Sequence, residues 1–248
     1  MGKKAQVTAF IILGILIVAA FGLFLYARNI GLGISPERFI ASKKNAIEDR
    51  IDECTKQQAE RALDIIAKQG GTFTPTRAKT FNNYRINYLC YNIPGTEQCS
   101  NRVLTLRSME DELSNFLENN LRGCIKLDEF KAGSYSLQPG NLEVSSTIGQ
   151  NNVLVVVDYP ITLQKDQARL TIQRYTTTIN VPLGRLYLAA MDILDFETQV
   201  GDFDPLPYML VHNAIRIEKH RPFPDKIYLI NARINPSYRF QLAIEGEP

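Results

Sequence analysis

The hydrophobic pattern begins with residues 7–26, a run of 20 that carries no charge. A helix of that length rises about 30 Å, the thickness of a bilayer's hydrocarbon core, so the run predicts a transmembrane helix. Gly31, Gly33, Ser35 and Pro36 then interrupt helical continuation, and Pro36 suits the first turn of a new helix. Over residues 36–69 the period is helical again, with Ile40, Ile47, Ile51, Cys54, Ala62 and Ile65 near one stripe; Gly70 and Gly71 end it. A second exterior helix is predicted from Ser108, capped with help from Asp111, with Leu113, Phe116, Leu117, Leu121 and Cys124 inward. A third is predicted over residues 184–197, with Leu183, Tyr187, Ala190, Met191 and Leu194 facing the core.

Other segments carry the period of strands. Residues 153–163 are rich in β-branched side chains and are followed, across Lys165 and Asp166, by residues 168–181, which predicts an antiparallel hairpin. Pro160 marks an edge or a bulge within it. Residues 215–219, 227–234 and 238–245 form another strand set, in which Phe240, Leu242 and Ile244 alternate with polar neighbours. The fold class predicted is α+β: an N-terminal transmembrane helix followed by a mixed helix and antiparallel-sheet extracytoplasmic domain with disulfides. The division is a basic cytoplasmic stub at 1–6, the span at 7–26, a hinge at 27–35 and one interlocked domain at 36–248, long enough to bury a sizeable core.

Charge sets the orientation. Lys3 and Lys4 precede the span and only Arg28 lies just after it, which keeps the amino terminus cytoplasmic and places the domain outside. A cleaved secretory signal fits less well, since the apolar run continues through Phe21, Leu23, Phe24 and Leu25 beyond the small pair Ala19 and Ala20. Without Lys3, Lys4 and Arg28 the remaining 25 basic residues face 26 acidic ones, so the sequence argues for no nucleic-acid partner.

Lys3, Lys4 and Ala5, followed by Gln6, Val7 and Thr8, resemble the class III signal of archaeal type IV pilin-like proteins. That resemblance covers about 25 residues and implies processing by a prepilin peptidase between Ala5 and Gln6. Pilins usually carry a registering Glu at the fifth mature position, where this chain has Phe10. The stretch ECTKQQAERALDIIAKQGG also resembles a block that recurs in single-span archaeal membrane proteins and names no activity.

Cys54, Cys90, Cys99 and Cys124 allow three complete pairings. An even count on an exported domain favours disulfides, and the spacings contain no C-x2-C pair of the kind zinc sites use. Cys90 and Cys99 bracket a Pro94-Gly95 turn, while Cys54 and Cys124 sit on the inward stripes of two helices, which ranks Cys54 with Cys124 and Cys90 with Cys99 first.

No hydrolase, zincin, phosphate-loop or dinucleotide fingerprint occurs in the sequence, and no cofactor or metal is implied. The two histidines, His212 and His220, flank one short strand without a recognisable nucleophile context. Two loops stand out in composition. GDFDPLPY concentrates Asp202 and Asp204 with prolines and aromatics, and EKHRPFPDK holds Lys219, His220, Arg221, Asp225 and Lys226 around Phe223. Rigid, charged, aromatic loops of this kind are candidate binding sites. The sequence therefore reads as a single-pass, membrane-anchored envelope protein whose exterior domain binds or assembles, with the lipid bilayer, envelope proteins or its own copies as partners. A pilin-like filament subunit processed at Ala5/Gln6 and an envelope hydrolase are the competing readings.

Overall fold

A computed structural model of the protein describes residues 3–29, 36–92, 99–131 and 135–246; in the first helix, side chains are described for residues 12–26. The N-terminal apolar run forms α1 (Lys3–Asn29). Its large side chains, from Ile12 to Tyr26, are 44–72% exposed. Among the described side chains no helix is long and apolar enough to cross a membrane. In α1 those side chains cover about 22 Å of axis, whereas the 27 residues of the helix rise about 40 Å. The expected hinge falls largely on residues 30–35, outside the described residues, and α2 (Pro36–Lys68) starts at the proline.

Ile40, Ile47, Ile51, Cys54 and Ala62 of α2 are buried as the stripe predicts, but the register drifts near its end. Ile66 is buried there, and Ile65 only partly so. Gly70 and Gly71 terminate the helix at φ +76° and +98°, a left-handed conformation that side chains with a Cβ rarely adopt. The next helix, α3 (Leu106–Ile125), begins earlier than predicted, because Thr105 is the cap: its Oγ1 accepts from the Ser108 backbone N–H at 3.1 Å. Leu113, Leu117 and Leu121 are buried, with Phe116 and Cys124 packed beside them.

Among the described residues ten strands form two sheets. The six-stranded sheet is built from β1 (Ala78–Phe81), β2 (Tyr84–Tyr91), β3 (Ser100–Asn101), β8 (Ile215–His220), β9 (Lys226–Ala232) and β10 (Asn235–Ile244). They lie in the order β1-β2-β10-β9-β8, with β3 also on β2 and only the β2–β10 pair parallel. In the four-stranded sheet, β6 (Val153–Lys165) is central. β4 (Ser136–Pro139) and β5 (Glu143–Ile148) pair in turn with one edge of it and β7 (Ala168–Ile179) with the other. Pro160 sits at a register shift between Asp158 and Ile161, and its carbonyl accepts from the Gly140 N–H at 2.6 Å. The proline is thus a bulge within a central strand, as a residue that cannot donate to the ladder requires.

Helix α2 packs against α3, β6, β7 and β10 and so touches both sheets, while α4 (Leu183–Gln199) covers β9 and β10. β10 is buried on two faces. Phe240, Leu242 and Ile244 join the main core, whereas Ala243 joins a second cluster with Ile86, Ile227 and Leu229 across the sheet, and Gln241 is also buried. The polar-outward alternation expected there is therefore lost. Cys54 is bonded to Cys124, tying α2 to α3, and Cys90 to Cys99, tying β2 to the approach to β3.

Burial raises the phenol pKa of eight tyrosines above their ordinary value, Tyr175, Tyr228 and Tyr238 among them. A raised folded-state pKa gives stability that is complete below the ordinary phenol pKa of about 10 and is lost as pH climbs, because the unfolded chain ionises first. The chain has no tryptophan, so ultraviolet absorbance of phenolate reads these groups cleanly. They are expected to ionise together with the loss of tertiary circular dichroism at alkaline pH. Complete ionisation near pH 10 with native dichroism intact would contradict their burial.

Candidate functional site

The two loops singled out in the sequence meet at the C-terminal end of α4. Asp202 lies just beyond that helix and accepts from Lys219 Nζ of β8 at 2.6 Å. It also pairs with Arg221, which follows β8, and stands 3.3 Å from Lys226 Nζ at the start of β9. The hydrogen bond from Lys219, with help from Lys226, holds the Asp202 carboxyl below its ordinary pKa. Asp204 serves a different end. Its Oδ1 caps α5 (Pro205–Val211) at the Leu206 N–H, 3.0 Å away. A stretch expected to be loop is thus partly helix, and an aspartate followed by proline at the first helical position is the local signal for it.

The centre of this cluster is Glu197, whose side chain is 2% exposed. One oxygen accepts from Lys226 Nζ at 2.6 Å; the other takes the Phe203 N–H at 3.0 Å and the Tyr228 hydroxyl. Lys219 Nζ stands 4.0 Å away and also donates to the Phe203 carbonyl at 2.6 Å. A buried carboxylate is tolerable only when paired and hydrogen-bonded, and Glu197 has both. Glu197 and Tyr228 were not singled out by the sequence. The signal available was a lone glutamate on the inward side of a helical stripe, opposite a strand that begins with lysine.

The remaining loop residues divide between scaffold and surface. Asp225 is buried and accepts from Lys79 Nζ at 2.6 Å, the Tyr88 hydroxyl at 2.8 Å and the Gly246 N–H at 3.3 Å. Burial alone would raise its pKa, but those donors outweigh it and hold the carboxyl below the ordinary value. His220 packs against Phe81 at 5.1 Å between ring centroids, and His212 stacks on Tyr208 at 4.2 Å. Among the described residues no hydrogen bond joins a serine, threonine or cysteine to either histidine, and no group of three or more His, Cys, Asp or Glu could hold a metal ion. Phe223, by contrast, is 86% exposed.

Other exposed apolar side chains lie on α5, where Leu206, Leu210 and Val211 are 63–78% exposed, and Val200 lies open at the end of α4. Beside Glu197 and Lys226 a cleft of about 410 Å³ opens, with Asn92, Thr198, Val200, Pro224 and Glu245 also in its walls. The chemistry of the arrangement is positional. Three cations and two carboxylates lock the segment after α4 onto β8 and β9. No protein-family model, curated protein or solved structure matches the chain.

Proposed function

We propose that the protein is a single-pass, membrane-anchored envelope protein with its amino terminus cytoplasmic, whose exterior α+β domain acts by binding or assembly. One observation carries the anchor: α1 leaves its Ile, Leu, Val and Phe side chains exposed along the whole stretch from Ile12 to Leu25. Such a surface needs an apolar medium around it, and a helix that satisfies its own backbone hydrogen bonds is suited to lipid. The two disulfides suit an oxidising exterior. The binding element we assign is the loop tip at Phe223, whose exposed ring protrudes from a segment fixed by the ion pair of Arg221 with Asp202.

The protein is expected to sediment with membranes, to resist salt and alkaline washes, and to be released by detergent. Protease added to intact cells should digest everything after Tyr26. A photo-reactive residue at position 223 in the same cells should yield discrete adducts. Recovery in sheared, detergent-free filaments would instead promote the pilin-like reading, and protection of the C-terminal region would refute the orientation.

A further inference from the structure

We propose that the end of the exterior domain nearest α1 is a cationic collar that seats on the anionic lipid headgroups of the membrane holding α1; the inference rests on the anchoring reading above. Phe39, in the first turn of α2, is the centre of this end. Its ring packs edge-on against Tyr135 at 5.6 Å between centroids. Lys165, from the β6–β7 hairpin, places Nζ 3.9 Å from the centroid of the same ring, and Lys43, one turn along α2, places its own at 5.7 Å. Neither ammonium has a carboxylate partner among the described residues. Each gains from the face of the ring, but two like charges drawn to one phenyl group repel each other and leave a site that an anion relieves.

Arg38 and Arg169 add positive charge to this end, against Glu37 and Asp166. The next cation on α2, Lys44, is already engaged by Glu48 at 3.7 Å. Chain length keeps the cluster close to the membrane. Only residues 30–35 separate α1 from α2, and at about 3.6 Å per residue they reach at most roughly 25 Å. An anionic bilayer surface attracts basic residues held within about a Debye length of it, by about 1 kcal/mol each. A lysine pair without a carboxylate partner at the end of the domain tethered to α1 matches that field in sign.

The chain has no tryptophan, so Gln167→Trp puts the sole indole on the exposed tip of the β6–β7 hairpin. The full-length protein carrying it would be reconstituted into vesicles of phosphatidylcholine alone or with about 30 mol% phosphatidylglycerol, each with lipids brominated near the headgroup. Flotation with both compositions reports the anchor independently of the collar. Quenching of the indole is expected to be at least about twofold stronger in the anionic vesicles, and to fall to the phosphatidylcholine level in about 0.5 M salt. Lys43→Glu with Lys165→Glu should abolish the difference. Arg107→Glu with Arg233→Glu, an equal charge change at exposed positions elsewhere, should preserve it, and Lys43→Gln with Lys165→Gln should weaken it without reversing charge. Equal quenching in the two compositions, or a Lys43/Lys165 variant quenched like its parent, overturns the collar. A chain that floats with neither composition overturns the anchor itself.

Discussion

Loss of the Cys54–Cys124 bond is expected to lower the unfolding free energy of the α+β domain by about 4 kcal/mol, a large share of the roughly 5–15 kcal/mol typical of a domain. The two cysteines are 70 residues apart in sequence, and in the chain-entropy model closing a loop of that length removes about 4.4 kcal/mol of freedom from the unfolded chain. The corresponding figure for the 9-residue separation of Cys90 and Cys99 is about 2.7 kcal/mol. Paired alanine substitutions avoid burying a hydroxyl where Cys54 stands at 2% exposure. Denaturant unfolding followed in detergent micelles should shift its midpoint more for the Cys54/Cys124 variant than for the Cys90/Cys99 variant. Equal shifts, or a larger one for the short loop, would contradict the account. The α2–α3 contact also places the long-range bond inside the core, where its loss loosens the packing of Leu113, Leu117 and Leu121 on α2.

Substituting Glu197 by alanine is expected to cost about 3–5 kcal/mol, the range for removing one partner of a buried ion pair. The Phe203 N–H loses its acceptor, the Tyr228 hydroxyl keeps only a 3.5 Å contact to the Phe203 carbonyl, and Lys226 is left with Asp202 at 3.3 Å. Glu197→Gln keeps the shape but turns an amide toward a lysine, and should cost about 1–3 kcal/mol. Tyr228→Phe removes a single donor from a carboxylate that retains two others, for about 1 kcal/mol. The order alanine, glutamine, then the tyrosine variant is measurable by thermal or denaturant unfolding. A near-neutral Glu197→Ala would show that the carboxylate is not the hub of the cluster.

The helices and the long strands were legible because their patterns are redundant. Over several turns of α2 many residues report the same face, so one misplaced position, Ile65 for Ile66, does not spoil the assignment. The elements that escaped are short or buried on both sides. β1, β3, β4 and β5 are two to six residues long, too few for a period to emerge from loop composition, although Val144, Ser146 and Ile148 do alternate inward along β5. In β10 the alternation was misleading, because Gln241 and Ala243 are buried against the far side of the sheet and a polar side chain in sequence is not always a solvent-facing one. For the candidate site, composition located the two loops, Asp202, Lys219, Arg221 and Lys226 among them. Their convergence on Glu197 could not be read, since it depends on the packing of α4 over β9 and β10.

The parallel pairing of β2 with β10 also orders events in time. Tyr88 lies beside Ala243, and β10 separates β2 from β9, so the six-stranded sheet has no continuous ladder until residues near 243 have been synthesised. The four-stranded sheet is drawn from one stretch of sequence, residues 136–179, and needs no such delay. A chain emerging vectorially can therefore assemble the β4–β7 sheet while β2, already paired with β1, still waits for its partner on the other edge. Over that interval the edge of β2 that finally receives β10 stays open, while Cys90, 9 residues from Cys99, already has its disulfide partner within reach.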